Sequence, residues 1–347
     1  MLKDPTEKNN FNLLRLLAAL QVLFVHALNH FEFEGPLVSA LKITPGVPVF
    51  FFISGLLISS AYERTRPNGI QKFFKNRFLR IFPALWFCVA VATVLLVTTN
   101  YLKTQSFSLS NFLFWLFSQV SIFQFYNPEF MRGFGVGVFN GALWTISVEL
   151  QFYLLTPFLY FLLRKHVSLY MVIFGCSLAL NVYFRFYIEW SNLLIKLAYV
   201  SFLPWLYMFM AGFVINKYRE KVAKILAPIH LAWVMLAFIC SMVLIGPYSA
   251  NASNAINPIS FLFLSACILK LSTARLFVPE RLAGFIRSND LSYGLYLYHM
   301  PFLNLLLYMN WLSGYRNVLA TLILSAAAAS ISWYYIEKPA LRFKRMI

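Results

Sequence analysis

Long apolar runs separated by short polar stretches are the most regular feature of the sequence. An α-helix needs about 20 predominantly apolar residues to cross a bilayer, and many of the runs approach that length. The pattern therefore predicts an all-α, polytopic membrane protein. The runs cover residues 11–31, 46–62, 80–99, 107–126, 143–163, 168–187, 194–216, 228–247, 256–271, 291–310 and 317–336.

One of these runs, 107–126, is unusually polar for a membrane span. It carries four serines, one asparagine and two glutamines, and a glycine-rich stretch follows it at 133–141. If it crossed the membrane, the basic stretches at 164–165 and 217–224 would lie outside, against the positive-inside rule. We therefore predict about ten transmembrane helices, with 107–126 re-entrant or interfacial. Both termini are then cytoplasmic, and the segment 99–142 forms an outer, substrate-facing loop.

Composition and charge support a membrane protein and argue against the soluble classes. Of the 347 residues, 60% are hydrophobic and 12% are charged, whereas soluble domains have roughly 45–50% and about 25%. The net charge of +17 could indicate nucleic-acid binding. In the predicted topology, however, 23 of the 29 Lys and Arg residues lie in cytoplasmic segments, which explains the charge by membrane orientation. We expect a lipid bilayer as partner and no nucleic acid.

No internal repeat or appended domain is evident, so we predict a single domain over 1–347 that begins with a short polar leader, 1–10. The first run lacks the small-residue cleavage site of a signal peptide. The four cysteines fall singly in apolar runs and are interpreted as core residues. We expect no metal site, because no cluster has metal-ligand spacing.

Ionisable residues inside apolar runs are the candidate functional residues, because each costs about 2.5–3.5 kcal/mol on insertion scales. The first run contains Arg15 and His26. Eleven positions at 100° per residue bring them to within about 20° of each other around the helix. The alternatives are a hydrogen-bonded interior histidine and an arginine that extends to the interface. His30, near the outer end, is interpreted as structural.

The segment from Trp144 to Tyr153 brings Glu149 into an apolar run behind the glycine-rich loop. A carboxylate there needs a donor partner or a raised pKa, and either suits proton transfer. The alternative is a structural ion pair with Arg132 or Arg185.

A third candidate is the pair Arg77 and Arg80, which are i,i+3 neighbours if the helix has already begun. Two converging guanidinium groups suit a bidentate contact with phosphate, although positive-inside anchoring explains them nearly as well.

The remaining candidates lie near the C-terminus and in the second run. His299 is followed by the helix-kinking Pro301, and Glu337 and Lys338 are expected to form a charge pair at the membrane boundary. Ser54 and Gly55 are interpreted as small residues that let helices pack closely.

Taken together and in this order, these elements resemble the acyltransferase-3 family of integral-membrane acyltransferases, over about residues 9–343. The family's motifs are matched by Arg15 and His26; by Arg77, Arg80 and Pro83; by Trp144, Thr145, Glu149, Phe152 and Tyr153; and by Ser292, Tyr293, Tyr296, His299 and Pro301. The resemblance implies an enzyme of the stand-alone type, similar to O-antigen and exopolysaccharide O-acetyltransferases.

The resemblance also implies the substrates and the residue roles. An acyl group, expected to be acetyl, would pass from cytoplasmic acetyl-CoA, a donor substrate rather than a bound cofactor, to a hydroxyl of a glycan or lipid-linked saccharide at the bacterial inner membrane. His26 would deprotonate that hydroxyl or carry the acyl group. The other implied roles are CoA phosphate binding for Arg77 and Arg80, orientation of His26 or the acceptor for Glu149, oxyanion or phosphate binding for Arg15, a second-base or positioning role for His299, and substrate contact for Trp144 and Tyr153.

Three alternatives remain open from the sequence. A transporter or flippase of a lipid-linked sugar would also have many spans and interior charges, although no two halves of this chain are related by internal symmetry. The membrane-bound O-acyltransferase class is also His-dependent, but it does not account for the paired motifs. Within the family, the donor could carry a succinyl group.

Overall fold

The protein is built from helices, which confirms the predicted all-α class. The structure, a computed structural model, describes residues 9–43, 45–187, 192–245, 256–274, 279–311 and 313–343, without the side chains of residues 37 and 185. Within these ranges the chain forms sixteen α-helices and no strand. Most of the predicted polar leader, 1–10, lies outside them.

The helices follow the apolar runs closely in the N-terminal half and less closely afterwards. The first eight are α1 (Phe11–His30), α2 (Pro36–Lys42), α3 (Gly46–Thr65), α4 (Ile70–Thr98), α5 (Leu109–Val120), α6 (Trp144–Lys165), α7 (Val167–Phe186) and α8 (Leu193–Tyr199). The others are α9 (Leu206–Lys217), α10 (Arg219–Leu226), α11 (Leu231–Ile245), α12 (Pro258–Thr273), α13 (Glu280–Ser288), α14 (Ser292–Met309), α15 (Tyr315–Ser332) and α16 (Lys338–Arg342). A π-helical turn, Trp333–Glu337, joins α15 to α16.

The chain divides into two compact units that alternate along the sequence. The first unit comprises Met1–Ala18, Ala40–Ile70 and Gln151–Asp290. The second unit comprises Ala19–Ser39, Gln71–Leu150 and Leu291–Ile347. Helices α1 and α6 each contribute residues to both units.

In the first unit, α3 and α9 pack against each other at backbone contact distance. A Cβ atom at Gly55 would lie 2.0 Å from the carbonyl oxygen of Phe209, and one at Gly212 would lie 2.4 Å from the amide nitrogen of Leu56. No side chain fits in either place. The interpretation of Gly55 as a residue for close helix packing is confirmed.

In the second unit, α14 packs along α15, and an aromatic core lies beneath the loop that follows α5. A Cβ atom at Gly294 would lie 2.8 Å from the Cα of Ala329, which shows how closely these two helices approach. The aromatic core is formed by buried residues from α4, α5, the connection between them and the loop after α5: Ala92, Leu96, Tyr101, Trp115, Phe130, Met131, Phe134 and Phe139. Helix α4 begins at Ile70, ten residues before its apolar run, so Arg77 and Arg80 are helical neighbours as predicted.

The predicted number of about ten membrane spans is not confirmed. Among the described residues, six helices are long and apolar enough to cross a membrane, or seven if α10 and α11, bent by 94°, form one span. Two of the predicted spans form the shorter helices α9 and α12, and at 1.5 Å per residue the 12 residues of α9 cover only about 18 Å of a hydrocarbon core about 30 Å thick. The run 107–126, which was predicted to be re-entrant or interfacial rather than a span, contains the 12-residue helix α5. The run 194–216 is broken between α8 and α9.

Candidate functional site

Two polar clusters in the second unit contain several of the residues singled out by sequence. The histidine cluster consists of His26, Thr145, Tyr296, His299 and Met300. The arginine cluster consists of Arg80, Tyr293, Ser332 and Glu337. Both include residues of α14, and the six positions from Tyr293 to His299 correspond to about 9 Å along its axis.

The histidine cluster is centred on a direct contact between two imidazole rings from α1 and α14. His299 Nε2 lies 3.2 Å from His26 Nδ1, and the ring centroids are 5.2 Å apart. His299 is fully buried, whereas His26 is half-buried. One turn further along α1, the exposed ring of His30 lies edge-on to His26, with 6.1 Å between the centroids.

The hydrogen-bond partners determine which nitrogen atoms carry protons when both rings are neutral. His299 Nδ1 lies 2.8 Å from the carbonyl oxygen of Tyr296, and a carbonyl only accepts, so Nδ1 is protonated and Nε2 is an acceptor. His26 Nδ1 must then donate to His299. The thioether of Met300, also an acceptor, lies 3.1 Å from the same nitrogen. The basic lone pair of His26 is therefore on Nε2.

Pro301 changes the hydrogen bonding of helix α14 next to His299. Proline has no N–H, so the carbonyl of Leu297, four residues earlier, has no helical donor from that position. It accepts instead from Asn140 Nδ2 at 2.9 Å and from Cys88 Sγ at 3.4 Å. Residues from α4 and from the loop before α6 are thereby attached to the helix that carries His299.

Tyr296 connects the histidine cluster to the start of α6. Its hydroxyl lies 2.7 Å from Thr145 Oγ1, and the Thr145 hydroxyl donates to the carbonyl of Ala142 at 3.0 Å. Glu149, one turn after Thr145 on the same face of α6, is half-buried and close enough to the Tyr296 phenol to interact with it electrostatically. Trp144, the first residue of α6, is also half-buried.

The alternative interpretation of Glu149 was an ion pair with Arg132 or Arg185. Arg132 Nε lies 4.0 Å from Glu129 and is mostly exposed. The side chain of Arg185 lies outside the described part of the structure.

The irregular loop between α5 and α6 is fixed to α14 by one buried asparagine. Asn304 Oδ1 accepts from the amide of Val136 at 2.8 Å, and Nδ2 donates to the carbonyls of Val138 and Phe139 at 2.9 and 2.7 Å. Gly135 adopts φ +57°, and a Cβ there would lie 2.2 Å from Asn304 Oδ1. Backbone N–H and C=O groups of an irregular segment need hydrogen-bond partners, and Asn304 supplies them for three such groups of this loop.

On the other side of the same loop, Tyr101 donates to the carbonyl of Phe130 at 2.6 Å and accepts from the amide of Gly133 at 3.1 Å. Burial raises the pKa of the Tyr101 phenol above its ordinary value, so this hydroxyl remains a donor at neutral pH.

In the arginine cluster, Arg80 contacts the carboxylate of Glu337, for which the sequence had suggested a different partner. Arg80 Nη1 lies 3.5 Å from Glu337 Oε2, and its guanidinium carbon lies 5.6 Å from the centre of the Tyr293 ring. Glu337 was expected to pair with Lys338, its neighbour in sequence. That expectation did not include the π turn, which directs Glu337 inward.

The other two arginines have different surroundings. Arg77 is half-buried, and its guanidinium carbon lies 5.9 Å from the centre of the Phe73 ring. In the first unit, Arg15 Nη1 donates to Asp290 Oδ2 at 2.7 Å. Asn10 and Asn12 cap the ends of α12 and α13 nearby, so the start of α1 is attached to these helices.

Tyr153, also in the first unit, is buried.

Sequence reasoning missed several residues that shape the site. Asn304 is a polar residue inside an apolar run, and the insertion cost that singled out His299 could also have found it. Asn140, Met300 and Asp290 gave no such signal, because they are outside apolar runs or are themselves apolar. Among the described residues, no group of three or more His, Cys, Asp or Glu side chains could hold a metal ion.

Comparisons with known proteins identify the family. Residues 8–337 match the acyltransferase domain model of the acyltransferase-3 family. The chain is 31% identical to nodulation protein 10 of Rhizobium leguminosarum bv. viciae over 354 residues, which covers 97% of this chain and 94% of that protein.

Two further relatives are similar over a shorter stretch. The O-acetyltransferase OatA of Staphylococcus aureus (strain NCTC 8325 / PS 47) is 34% identical over 125 residues, which covers 32% of this chain and 19% of that protein. The peptidoglycan O-acetyltransferase OatA of Listeria monocytogenes is 28% identical over 154 residues, or 42% and 22%. No solved structure shows significant similarity to the chain. The chain belongs to the acyltransferase-3 family and is an O-acyltransferase.

Proposed function

We propose that this protein transfers an acyl group, most simply acetyl, from cytoplasmic acyl-CoA to a hydroxyl of a cell-surface glycan or its lipid-linked precursor. The observation that supports this reaction is the hydrogen-bonded chain from His26 through His299 to the carbonyl of Tyr296. This chain leaves the basic nitrogen of His26 on the ring edge opposite His299. That arrangement is suited to general-base catalysis.

In this reaction His26 Nε2 accepts the proton of the sugar hydroxyl as its oxygen attacks the thioester carbon. The carbon–sulfur bond breaks, and the CoA thiolate leaves with the electron pair. The proton held by His26 then passes to the thiolate, so the products are the O-acyl ester and CoA. A proton on Nε2 gives His26 a positive charge, which His299 Nε2 stabilises through the same 3.2 Å contact.

The residues proposed for the donor are the three arginines. Arg77 and Arg80 are neighbours on one face of α4 and suit contacts with the CoA phosphates. The acyl-bearing pantetheine arm would extend along α14 toward the histidine cluster, about 9 Å away along the helix axis. Arg15, held by Asp290, would bind a further phosphate or the thioester oxyanion.

For the acceptor, we propose a glycan hydroxyl, with Trp144 and Tyr153 as contact residues and Glu149 as an orienting group. Two relatives support this proposal: one that matches nearly the whole chain is a nodulation protein, and one that matches part of it is a peptidoglycan O-acetyltransferase. The proposed location is the bacterial inner membrane with both termini cytoplasmic. Succinyl-CoA is the alternative donor within this family.

The test is transfer of radiolabel from acetyl-CoA by the purified full-length protein in lipid nanodiscs, with a surface-glycan fraction from the source cells as acceptor. We expect acetyl-CoA to be consumed and alkali-labile label to appear on the glycan. A transporter would leave the thioester intact, and a succinyl-transferring enzyme would consume succinyl-CoA in preference.

Substitution of an arginine tests the donor site separately. Arg80→Ala should raise the KM for acetyl-CoA more than the KM for the glycan, and Arg132→Ala, on the exposed loop, is the matched control. An Arg80→Ala variant with an unchanged dependence on acetyl-CoA would contradict the donor site.

A further inference from the structure

We propose that Glu337 is the counter-anion of Arg80. It holds the Arg80 guanidinium in place when the donor is absent, and its charge limits how tightly CoA binds. This inference rests on the proposed function, because it assumes that Arg80 contacts a CoA phosphate. It assigns Glu337 a role as a positioning residue that acts through Arg80.

The carboxylate of Glu337 is in an unusual place for a charged group. Glu337 is 2% exposed, and it lies 3.5 Å from Arg80 Nη1. Its other oxygen accepts from the Ser332 hydroxyl at 3.2 Å. Burying a carboxylate is expensive unless it is paired and hydrogen-bonded, so the arginine and the serine explain why it is tolerated here.

The π turn is what brings Ser332 and Glu337 together. In a regular α-helix, residues five apart are separated by about 500° of rotation, or about 140° net, and they point in different directions. In the π turn the helix closes on the fifth residue rather than the fourth, and the amide of Lys338 accordingly donates to the carbonyl of Trp333. Such turns are frequent at functional sites, and this one turns Glu337 inward while Tyr334 and Tyr335 remain exposed.

Tyr293 keeps Arg80 next to this carboxylate from the other side. Its ring lies beneath the guanidinium, and its hydroxyl donates to the carbonyl of Ile81 at 3.0 Å. Arg80 is therefore positioned before any ligand arrives, so little ordering entropy is lost when a phosphate binds.

The negative charge of Glu337, buried beside Arg80, also repels a second negative charge that approaches the same guanidinium. A CoA phosphate must share the guanidinium with Glu337 and approach its carboxylate, and like charges brought together in a site of low dielectric constant repel strongly. The pair therefore lowers the affinity for acyl-CoA and for the product CoA alike, which favours product release.

The experiment is equilibrium binding of radiolabelled CoA to the full-length protein in nanodiscs, together with steady-state kinetics. Glu337→Gln keeps the shape and the hydrogen-bond acceptor but removes the charge. We expect the Kd for CoA to fall at least about fivefold, with a lower KM for acetyl-CoA and stronger product inhibition by CoA. If Glu337 were merely structural, its substitution would raise both the Kd for CoA and the KM for acetyl-CoA.

Glu280→Gln is the matched control, because it removes the carboxylate of an exposed pair with Arg287 and makes the same change in net charge. It should bind CoA as the wild type does. If Glu337→Gln binds CoA with unchanged or weaker affinity, the inference is wrong. If the wild type itself does not bind CoA, the donor assignment in the proposed function fails instead.

If the Gln variant does not fold, Glu337→Asp keeps the charge and withdraws it from Arg80 by one methylene group. It should bind CoA more tightly than the wild type, by less than the factor expected for Gln. Weaker binding by the Asp variant would also contradict the role of Glu337 as a counter-anion.

Discussion

At the scale of single residues, the proposed chemistry depends on where two imidazole rings carry their protons. The carbonyl of Tyr296 can only accept, and this one constraint determines the tautomer of His299 and then that of His26. The arrangement differs from a base oriented by a carboxylate, because the orienting group is a buried imidazole. His299 therefore has the proposed role of a positioning residue.

His26→Ala should reduce the rate of acetyl transfer by roughly 10²–10⁴-fold, the usual contribution of a general base. The measurement is the initial rate of label transfer from acetyl-CoA, at protein levels matched by immunoblot. His166→Ala, which alters an exposed histidine, is the control and should be as active as the wild type. Near-normal acetylation by the His26 variant would end the catalytic assignment.

His299→Phe should reduce kcat by roughly 10- to 100-fold, by analogy with the loss seen when the group that orients a metal-binding histidine is removed. Phenylalanine keeps a ring in the space but cannot accept the His26 proton. Because the two histidines act as one unit, the double variant with His26→Ala should be about as slow as His26→Ala alone. If the two losses multiplied instead, independent roles would follow.

The sequence predicted the identity of candidate functional residues better than the contacts between them. An ionisable group in an apolar run costs insertion energy wherever it lies, so His26, Glu149 and His299 could be singled out one at a time. The contact between His26 and His299 joins positions 273 apart in the chain, and no periodicity relates such positions. Glu337 was assigned to Lys338 for the same reason, since sequence shows neighbours and not the π turn.

At the scale of secondary-structure elements, α14 is the frame of the site. Pro301 exposes the carbonyl that binds Asn140, Tyr296 reaches the start of α6, and Asn304 fixes the loop after α5. The existence of this helix was predictable from its apolar run. The break between α8 and α9, inside the run 194–216, was not, because hydropathy averages over about 20 residues and does not detect where a helix is interrupted.

Asn304→Ala should destabilise the protein by roughly 2–5 kcal/mol, because it removes the partner of three backbone groups of the loop that are buried or half-buried. Gly135→Ala should be harmful as well, because φ is +57° and the new Cβ would collide with Asn304. Thermal unfolding in detergent measures both effects. Asn111→Ala, at an exposed position at the start of α5, is the control, and an Asn304 variant as stable as this control would show that the loop does not depend on Asn304.

At the scale of the whole molecule, the distribution of charge predicts the orientation in the membrane. Among the described residues, six or seven helices are long and apolar enough to span a membrane. The positive-inside rule places the basic segments 64–80, 164–165 and 217–224 in the cytoplasm. With the ten spans predicted from the sequence, both termini would lie on that side, together with the proposed donor.

Reporter fusions test this topology. Fusions after Lys165 and after Lys224 should report a cytoplasmic location, and a fusion after Arg132 should report the outer side. Replacing Arg164 and Lys165 with neutral residues should weaken the cytoplasmic signal of the fusion after residue 165. A cytoplasmic signal from the Arg132 fusion would contradict an outer position for the loop between α5 and α6.

The π turn has a consequence for how this C-terminal segment can vary. In an ordinary membrane helix, deleting one residue swings everything downstream by about 100° and destroys the contacts there. Between Ser332 and Glu337 the helix already contains one residue more than a regular turn needs, and Tyr335 is 76% exposed. Loss of Tyr335 should let the segment relax to a regular α-helix in which the glutamate, now four positions from the serine, still points inward. A shortened chain here is therefore expected to keep the pairing that a deletion within α15 would break.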